Sequence, residues 1–307
     1  MLSRAGVAHA GDDWLARLNQ YRAMVKLAPV REENNLNLGE SQHARYLVEN
    51  YSAALREHRP LGVDMHIEDH SNPWYSYSGF VAGRASDVLL AEGTRAPSWA
   101  IDDWITAPFH RFPLLRPDLN SVGYGGFCQN GVCGAAINTQ SGATTGNRRF
   151  IRRMINGEPI TGDSEALGGG SGSHYAKPVE FPPDGSTVEV LSLSNEWPDP
   201  TKSCSGYKFP VGLPITIQFG WNLTPKITAG SLRENGKPIR ACAFHADDYT
   251  NPDPIAEKVG RAGLKWAGAV VILPQEPLHA DARYSIHAVV DDVAYDWAFF
   301  VRAPLSP

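Results

Sequence analysis

A chain of 307 residues, 42% of them hydrophobic, has room for two separately buried cores. A formal net charge of −5 excludes a general nucleic-acid footprint, and the one basic run, NRRFIRR at 147–153, reads as the wet face of a connecting segment. No apolar run approaches the roughly 18 residues that a membrane-spanning helix needs.

The start, MLSRAGVAHAGDDW, carries one Arg and lacks the apolar core of a signal peptide. Asp12 or Asp13 can cap a first helix whose stripe is Trp14, Leu18, Tyr21 and Val25, with Pro29 ending it. Asn37 and Glu40 have capping-box spacing for a second helix, along which Ala44, Leu47, Val48, Tyr51 and Leu55 share a face. His43 lies beside that face, where helix packing and membership of a site read equally well.

Residues 58–83 show neither a helical nor a strand period, and they crowd His58, Asp64, His66, Glu68, Asp69 and His70 together. A polar loop this long is ordered either by function or by side-chain bonds. A divalent ion on His66 and Glu68 is one way to order it; a solvated acidic loop is the plainer reading and has the greater weight on spacing alone. A short helical segment is expected around Asp87 to Leu90.

The stretch PSWAIDDWITAPFHRFPLLRPDLNSVGYGG at 97–126 predicts a helix capped by Ser98, with Ile101, Trp104 and Ile105 at helical spacing and Asp102 and Asp103 beside them. Pro108 is expected to end that helix and put His110 on a turn directed by prolines 108, 113 and 117. Val122–Phe127 and Gly134–Asn138 read as paired strands whose connection carries the tight-turn pair Asn130-Gly131. Residues 141–176 read as a flexible insertion containing GGGSGS at 168–173, after which VEFPPDGSTVEVLSL is read as completing the first domain's sheet.

From residue 196 the pattern reads as all-β, with NEWPDP as a rigid crossing. Candidate strands are Ile215–Phe219, Ile227–Leu232, Ile239–Phe244, Gly268–Leu273, Tyr284–Val290 and Trp297–Arg302, which together suggest a β-sandwich. Tyr284, Ile286, Ala288 and Val290 fall on one face, and His287 on the other. Asn222-Leu223-Thr224 has the form of an N-glycosylation acceptor.

Cys128–Cys133 would staple the hairpin and Cys204–Cys242 would form a second bridge; neither pair has the spacing of a zinc site. Two disulfides imply an oxidising compartment, so a secreted or periplasmic protein is expected, with its export signal absent from this numbering.

Several blocks together resemble the CAP superfamily of cysteine-rich secretory and pathogenesis-related proteins, in its bacterial secreted branch. They are LNQYRAMVKLAPV at 18–30, SQHARYLVEN at 41–50, HIEDHSNPWYSYSG at 66–79 and DDWITAPFHRFPLLRPDLNSVGYGG at 102–126, with the hairpin that follows. The resemblance covers roughly residues 12–190. It implies an α+β chain: a three-layer α-β-α sandwich of CAP type at 12–195, then an immunoglobulin-like β-sandwich at 196–307.

It further implies a cleft with two histidines and one or two acidic residues, able to hold zinc or another divalent cation. By position His110 is one histidine and His66 the other, with His70 as the alternative. Where relatives carry a Gly-Glu-Asn-like segment this chain reads AGRASDV at 82–88, so either Asp87 takes that position or the acidic ligand is lost; Asp102 or Asp103 stands near the other acidic position, Glu68 and His43 are accessory candidates, and the ion is expected to be weakly held.

The expected function is a non-enzymatic binding or interaction module for a small molecule, lipid, peptide or cell-surface ligand. Trp74, Tyr75, Tyr77 and Phe109 would line its cleft, while Trp104 is expected in the core. The alternative is a metal-assisted, peptidase-like hydrolase in which His66 and His110 hold the ion and Asp102 or Glu68 acts as base. A third reading makes the histidines structural.

Overall fold

A computed structural model describes residues 13–59, 61–143 and 172–303. The Asp12 cap, NRRFIRR and most of the 141–176 insertion lie outside the described residues. The chain divides into two units: Met1–Ala23, Ala28–Trp104 and Asp118–Pro159 form the first, and Met24–Leu27, Ile105–Pro117 and Ile160–Pro307 the second. Both combine helix and strand, so the chain is of mixed α and β structure.

In the first unit, helix α1 (Asp13–Met24) buries Trp14, Leu18 and Tyr21 of the expected stripe, but it stops at Met24 and not at Pro29, which leaves Val25 half-buried in the turn beyond its end. Helix α2 (Asn34–Arg56) starts one turn earlier than the capping-box spacing predicts. Asn37 is already inside it, donating to Glu32 Oε1 (2.6 Å) and accepting from the Tyr124 amide (2.9 Å), so the box does not form.

Four strands, β1 (Arg31–Glu32), β2 (Ser86–Glu92), β3 (Ser121–Gln129) and β4 (Val132–Asn138), make a sheet in the order β1-β3-β4-β2. The helical segment expected at Asp87–Leu90 is therefore strand β2, paired antiparallel with β4 from Ser86↔Asn138 to Glu92↔Val132. A short apolar run does not declare its period, and here pairing along a seven-residue ladder decides it. Leu47 and Val48 of α2 pack on Val88, Leu90, Val132 and Ala136 of this sheet.

The glycines of VGYGG set how closely α2 approaches. A Cβ on Gly125 would lie 2.0 Å from the Ser41 amide nitrogen and 2.3 Å from the Glu40 carbonyl carbon. Between β3 and β4, Asn130 (φ 50°) and Gly131 (φ 74°) form the two-residue turn, and the Cys128–Cys133 disulfide closes the hairpin.

The aperiodic 58–83 stretch contains a 3₁₀ turn (Val63–His66) and a helix, α3 (Tyr77–Gly83), whose N-cap Ser76 accepts from the Gly79 amide. Helix α4 (Trp99–Thr106) buries Ile101, Trp104 and Ile105 as expected. Pro108 does end it, but the chain does not continue as a turn. Pro108 is the first residue of helix α5 (Pro108–Leu114), a position where its missing amide costs nothing, and His110 is thus helical.

The second unit holds two larger sheets. One takes the order β11-β10-β14-β15-β6, from Lys237–Ile239, Ile227–Glu234, Ala282–Val290, Val293–Val301 and Thr187–Val188. The other takes the order β12-β13-β9-β5, from Ala241–Phe244, Ala269–Pro274, Ile215–Trp221 and Ser173–Phe181. A small pair, β7 (Ser192–Leu193) and β8 (Val211–Gly212), completes the strands among the described residues.

The VEFPPDG region therefore supplies β5 and β6 to sheets of the second unit, rather than completing the first unit's sheet. The region after 196 is not all-β either. Asp253 caps a helix, α6 (Pro254–Ala267), with Pro254 at its first position and Gly268 in the left-handed conformation at its end. Leu264, Trp266 and Ala267 of α6 join Phe244, Tyr249, Val271 and Leu273 in the core, and Cys204–Cys242 closes a 38-residue separation beside them.

The helix–sheet contact of the first unit gives a paired prediction. Gly125→Ala drives a methyl into α2 backbone and is expected to cost about 2–3 kcal/mol or more, whereas Gly126→Ala meets nothing nearer than 3.7 Å and stays within about 0.5 kcal/mol. Urea denaturation of the two variants checks it.

Candidate functional site

His110 is placed by residues on both sides of it. Helix α5 begins with amide donors that have no partner within the helix, and its N-cap, Ala107, has no side-chain acceptor for them. Glu196, far along the chain, supplies the acceptor instead. Its Oε1 takes the Phe109 amide (2.7 Å), the His110 amide (3.3 Å) and the His110 ring at Nδ1 (3.1 Å). The Glu196 side chain is fully buried and that of His110 is 19% exposed.

Because Oε1 already accepts two amide protons, the third hydrogen bond carries its proton on Nδ1, and Nε2 keeps the lone pair. Burial pushes the Glu196 carboxyl up, while its bonds to His110 and the two amides hold it down.

The neighbouring Arg111 anchors the same helix. Its guanidinium donates to the Ile105 carbonyl (3.0 Å), the Pro214 carbonyl (2.8 Å) and Thr216 Oγ1 (3.2 Å), and stacks 4.4 Å from the Phe181 ring. Burial lowers its pKa to about 9, with the Glu196 charge opposing that shift. Sequence reading missed both groups. Arg111 sits beside the histidine in the motif, but Glu196 lay hidden in NEWPDP, where the prolines drew the interpretation.

His66 lies in the first unit, half-buried at the end of the 3₁₀ turn, with Nδ1 at 2.9 Å from the Gly83 carbonyl. A carbonyl only accepts, so this ring too holds its proton on Nδ1. His70 is exposed and packs against Tyr75 (centroids 4.4 Å apart) and Phe80 (5.1 Å). His43 is fully buried: Nε2 donates to the Met65 carbonyl (2.8 Å) and Nδ1 is hydrogen-bonded to Glu68 Oε1 (3.0 Å). Glu68 Oε2 accepts the Ser76 amide (3.0 Å). His43 and Glu68 thus tie α2 to the His66 turn and to the start of α3.

The other acidic candidates are spread out. Asp102 Oδ1 receives Arg17 Nε (2.6 Å) and the Tyr21 hydroxyl (2.7 Å). Asp103 is exposed beside it on α4, and Asp87 stands on β2 opposite Ile137. An acid that sequence reading assigned to capping is buried instead: Glu40 accepts from Ser86 Oγ (2.6 Å) and Asn138 Nδ2 (3.2 Å), and desolvation pushes it up to about 8.

Of the expected cleft walls, Trp74 and Tyr77 are exposed, Trp74 under the Arg45 guanidinium at 4.2 Å, and Tyr75 is half-buried against His70. Phe109 packs edge-on against Phe112 and Tyr249 in the second unit's core.

Among the described residues no group of three or more His, Cys, Asp or Glu is placed to hold a metal ion. Glu68 and Asp102 each have an oxygen committed to protein donors, and all four cysteines are in disulfides. This donor set does not fit an ion caged by several side chains.

Residues 15–132, from α1 to the start of β4, match the family model described as CAP: Cysteine-rich secretory protein family. That match supports a CAP domain over this stretch, in agreement with the resemblance of its motifs. No curated protein matches the chain at a significant level. No described helix is long and apolar enough to cross a membrane.

Glu40 predicts a pH dependence. An acid with a folded pKa of about 8 and an ordinary value of 4.5 favours the folded state fully below 4.5 and loses that contribution as pH rises towards 8. Glu40→Gln removes the titration, so the stability lead of the variant over wild type should grow by on the order of a few kcal/mol between these limits. Chemical denaturation across that pH range measures it.

Proposed function

We propose that the protein is a secreted CAP-domain module that binds a ligand without transforming it, with Trp74 and Tyr77 of the first unit as its apolar contacts and the His66 ring as a polar one. The observation that carries this reading is the commitment of the carboxylates. Glu68 serves His43 and the Ser76 amide, Asp102 serves Arg17 and Tyr21, and Glu196 serves the first turn of α5. A hydrolase needs a base poised over water or over a nucleophile, and these acids are spent on structure.

Two disulfides support the secreted assignment. Trp74, Tyr77 and Ile67 are exposed apolar side chains, which favours a ligand with an apolar face, such as a lipid or an amphipathic peptide.

The test pairs binding with turnover. A labelled long-chain fatty acid and an amphipathic peptide are titrated into wild type, Trp74→Ala/Tyr77→Ala and His110→Ala, and the same proteins are assayed against peptide and ester substrates with and without added zinc. The expected result is saturable binding of at least one probe, weakened roughly tenfold or more in the aromatic double variant, with no turnover that depends on His110. Hydrolysis lost in His110→Ala would instead establish the hydrolase.

A further inference from the structure

The five-stranded sheet of the second unit has two unlike faces. Leu232, Tyr284, Ile286 and Phe299 are buried on one, so strand alternation turns Arg233, Arg283, Ser285, His287, Asp296 and Phe300 to the other. Register brings them together: Ser231 lies opposite His287, Arg233 opposite Ser285, His287 opposite Asp296, and Arg283 opposite Phe300. The Pro182–Ser186 loop lines the β15 side, where Asp184 Oδ1 accepts the Ala298 amide (3.0 Å) and Gly185 donates to the Ala298 carbonyl (2.7 Å). A cavity of about 440 Å³ lies on this face, lined by Asp184, Arg233, Arg283 and His287 among others. That volume falls in the range of small-molecule sites.

Its hydrogen-bonding groups are unbalanced. Asp296 accepts from His287 Nδ1 (2.8 Å) and Asp184 from a backbone amide, so each carboxylate has an internal partner. Arg233 gives one N–H to the Gly236 carbonyl (3.0 Å). The Arg283 guanidinium and the hydroxyls of Ser231 and Ser285 make no hydrogen bond to another described residue. The surplus is in donors, and a guanidinium fork matches a planar or tetrahedral oxyanion. With a net charge of −5 the chain as a whole repels polyanions, so an anion attracted here answers to this face and not to the protein's overall field.

Phe300, 37% exposed across from Arg283, adds an apolar ring face. A saccharide needs both features, since its C–H face rests on an aromatic ring and its hydroxyls take mixed donors and acceptors. A peptide would instead be expected to extend the sheet by pairing. The edges here, Lys237–Ile239 and Thr187–Val188, are three and two residues long and offer little ladder.

We propose that this face binds an acidic saccharide. Arg283 and Arg233 hold its oxyanion, Ser231, Ser285 and Asp296 meet its hydroxyls, and Phe300 meets its ring. The site lies on the second unit and stands independently of what the histidines bind.

Calorimetric titration of the full chain with a uronic-acid oligosaccharide, a sulfated one, a neutral one of equal length and inorganic sulfate tests it, with circular dichroism confirming that the variants fold. Saturable binding of one acidic oligosaccharide is expected, at least about tenfold tighter than the neutral sugar or free sulfate. It should fall roughly tenfold or more in Arg283→Ala and be partly restored in Arg283→Lys. Whichever acidic probe binds identifies the oxyanion as carboxylate or sulfate. Binding of neither acidic probe, equal binding of free sulfate, or affinity unchanged in Arg283→Ala overturns the proposal.

Discussion

The Glu196 carboxylate is the constraint on which the account of His110 rests. A helix that starts at Pro108 avoids one orphan donor, because proline has none, but its next amides still need an acceptor. Glu196 answers two of them and the His110 ring with a single oxygen. Leaving a carboxyl buried is expensive unless its bonds compensate, and here three N–H donors on Oε1 offset only part of that cost: burial still pushes the Glu196 carboxyl up, and its Oε2 is buried with no partner among the described residues. The consequence for chemistry is a fixed imidazole. Its orientation and tautomer are set by a helix cap, and Arg111 fixes the same helix through the carbonyls of Ile105 and Pro214.

The first unit handles its buried polar groups in the same way. His43 and Glu68 close a hydrogen-bonded path from α2 through the Met65 carbonyl to the Ser76 amide, and Gly83 is required there because a Cβ would lie 2.3 Å from the His43 ring. Glu40 meets Ser86 and Asn138 on two different strands, and the Asp102 carboxylate ties α4 to Arg17 and Tyr21 of α1. These are titratable side chains used as fasteners. Trp74 and Tyr77, by contrast, are left exposed.

Local chemistry was legible in the sequence wherever it determined the outcome. Trp14, Leu18 and Tyr21 of the α1 stripe, the α4 stripe, the Asn130-Gly131 turn with its disulfide, and the outward face of His287 follow from spacing and residue type, and the structure has them. The CAP resemblance likewise rested on contiguous motifs, and the family match covers them. What escaped depends on partners distant in the chain. Ser86–Glu92 is a strand because β4 pairs with it, and Glu196 is a cap because α5 lies beside it. Helix Pro254–Ala267 is different: Asp253-Pro254 at its start and Gly268 at its end were readable signals, overridden by the all-β expectation around them.

The central claim is that Glu196 fixes His110 with its proton on Nδ1. Nitrogen-15 NMR of ring-labelled histidine, with His110 assigned by comparison with His110→Ala, reads this directly at a pH where the ring is neutral. The account predicts a protonated Nδ1 and an unprotonated Nε2 for His110, a preference that weakens in Glu196→Ala. A proton on Nε2 in the wild-type protein, or a tautomer indifferent to Glu196, would contradict it.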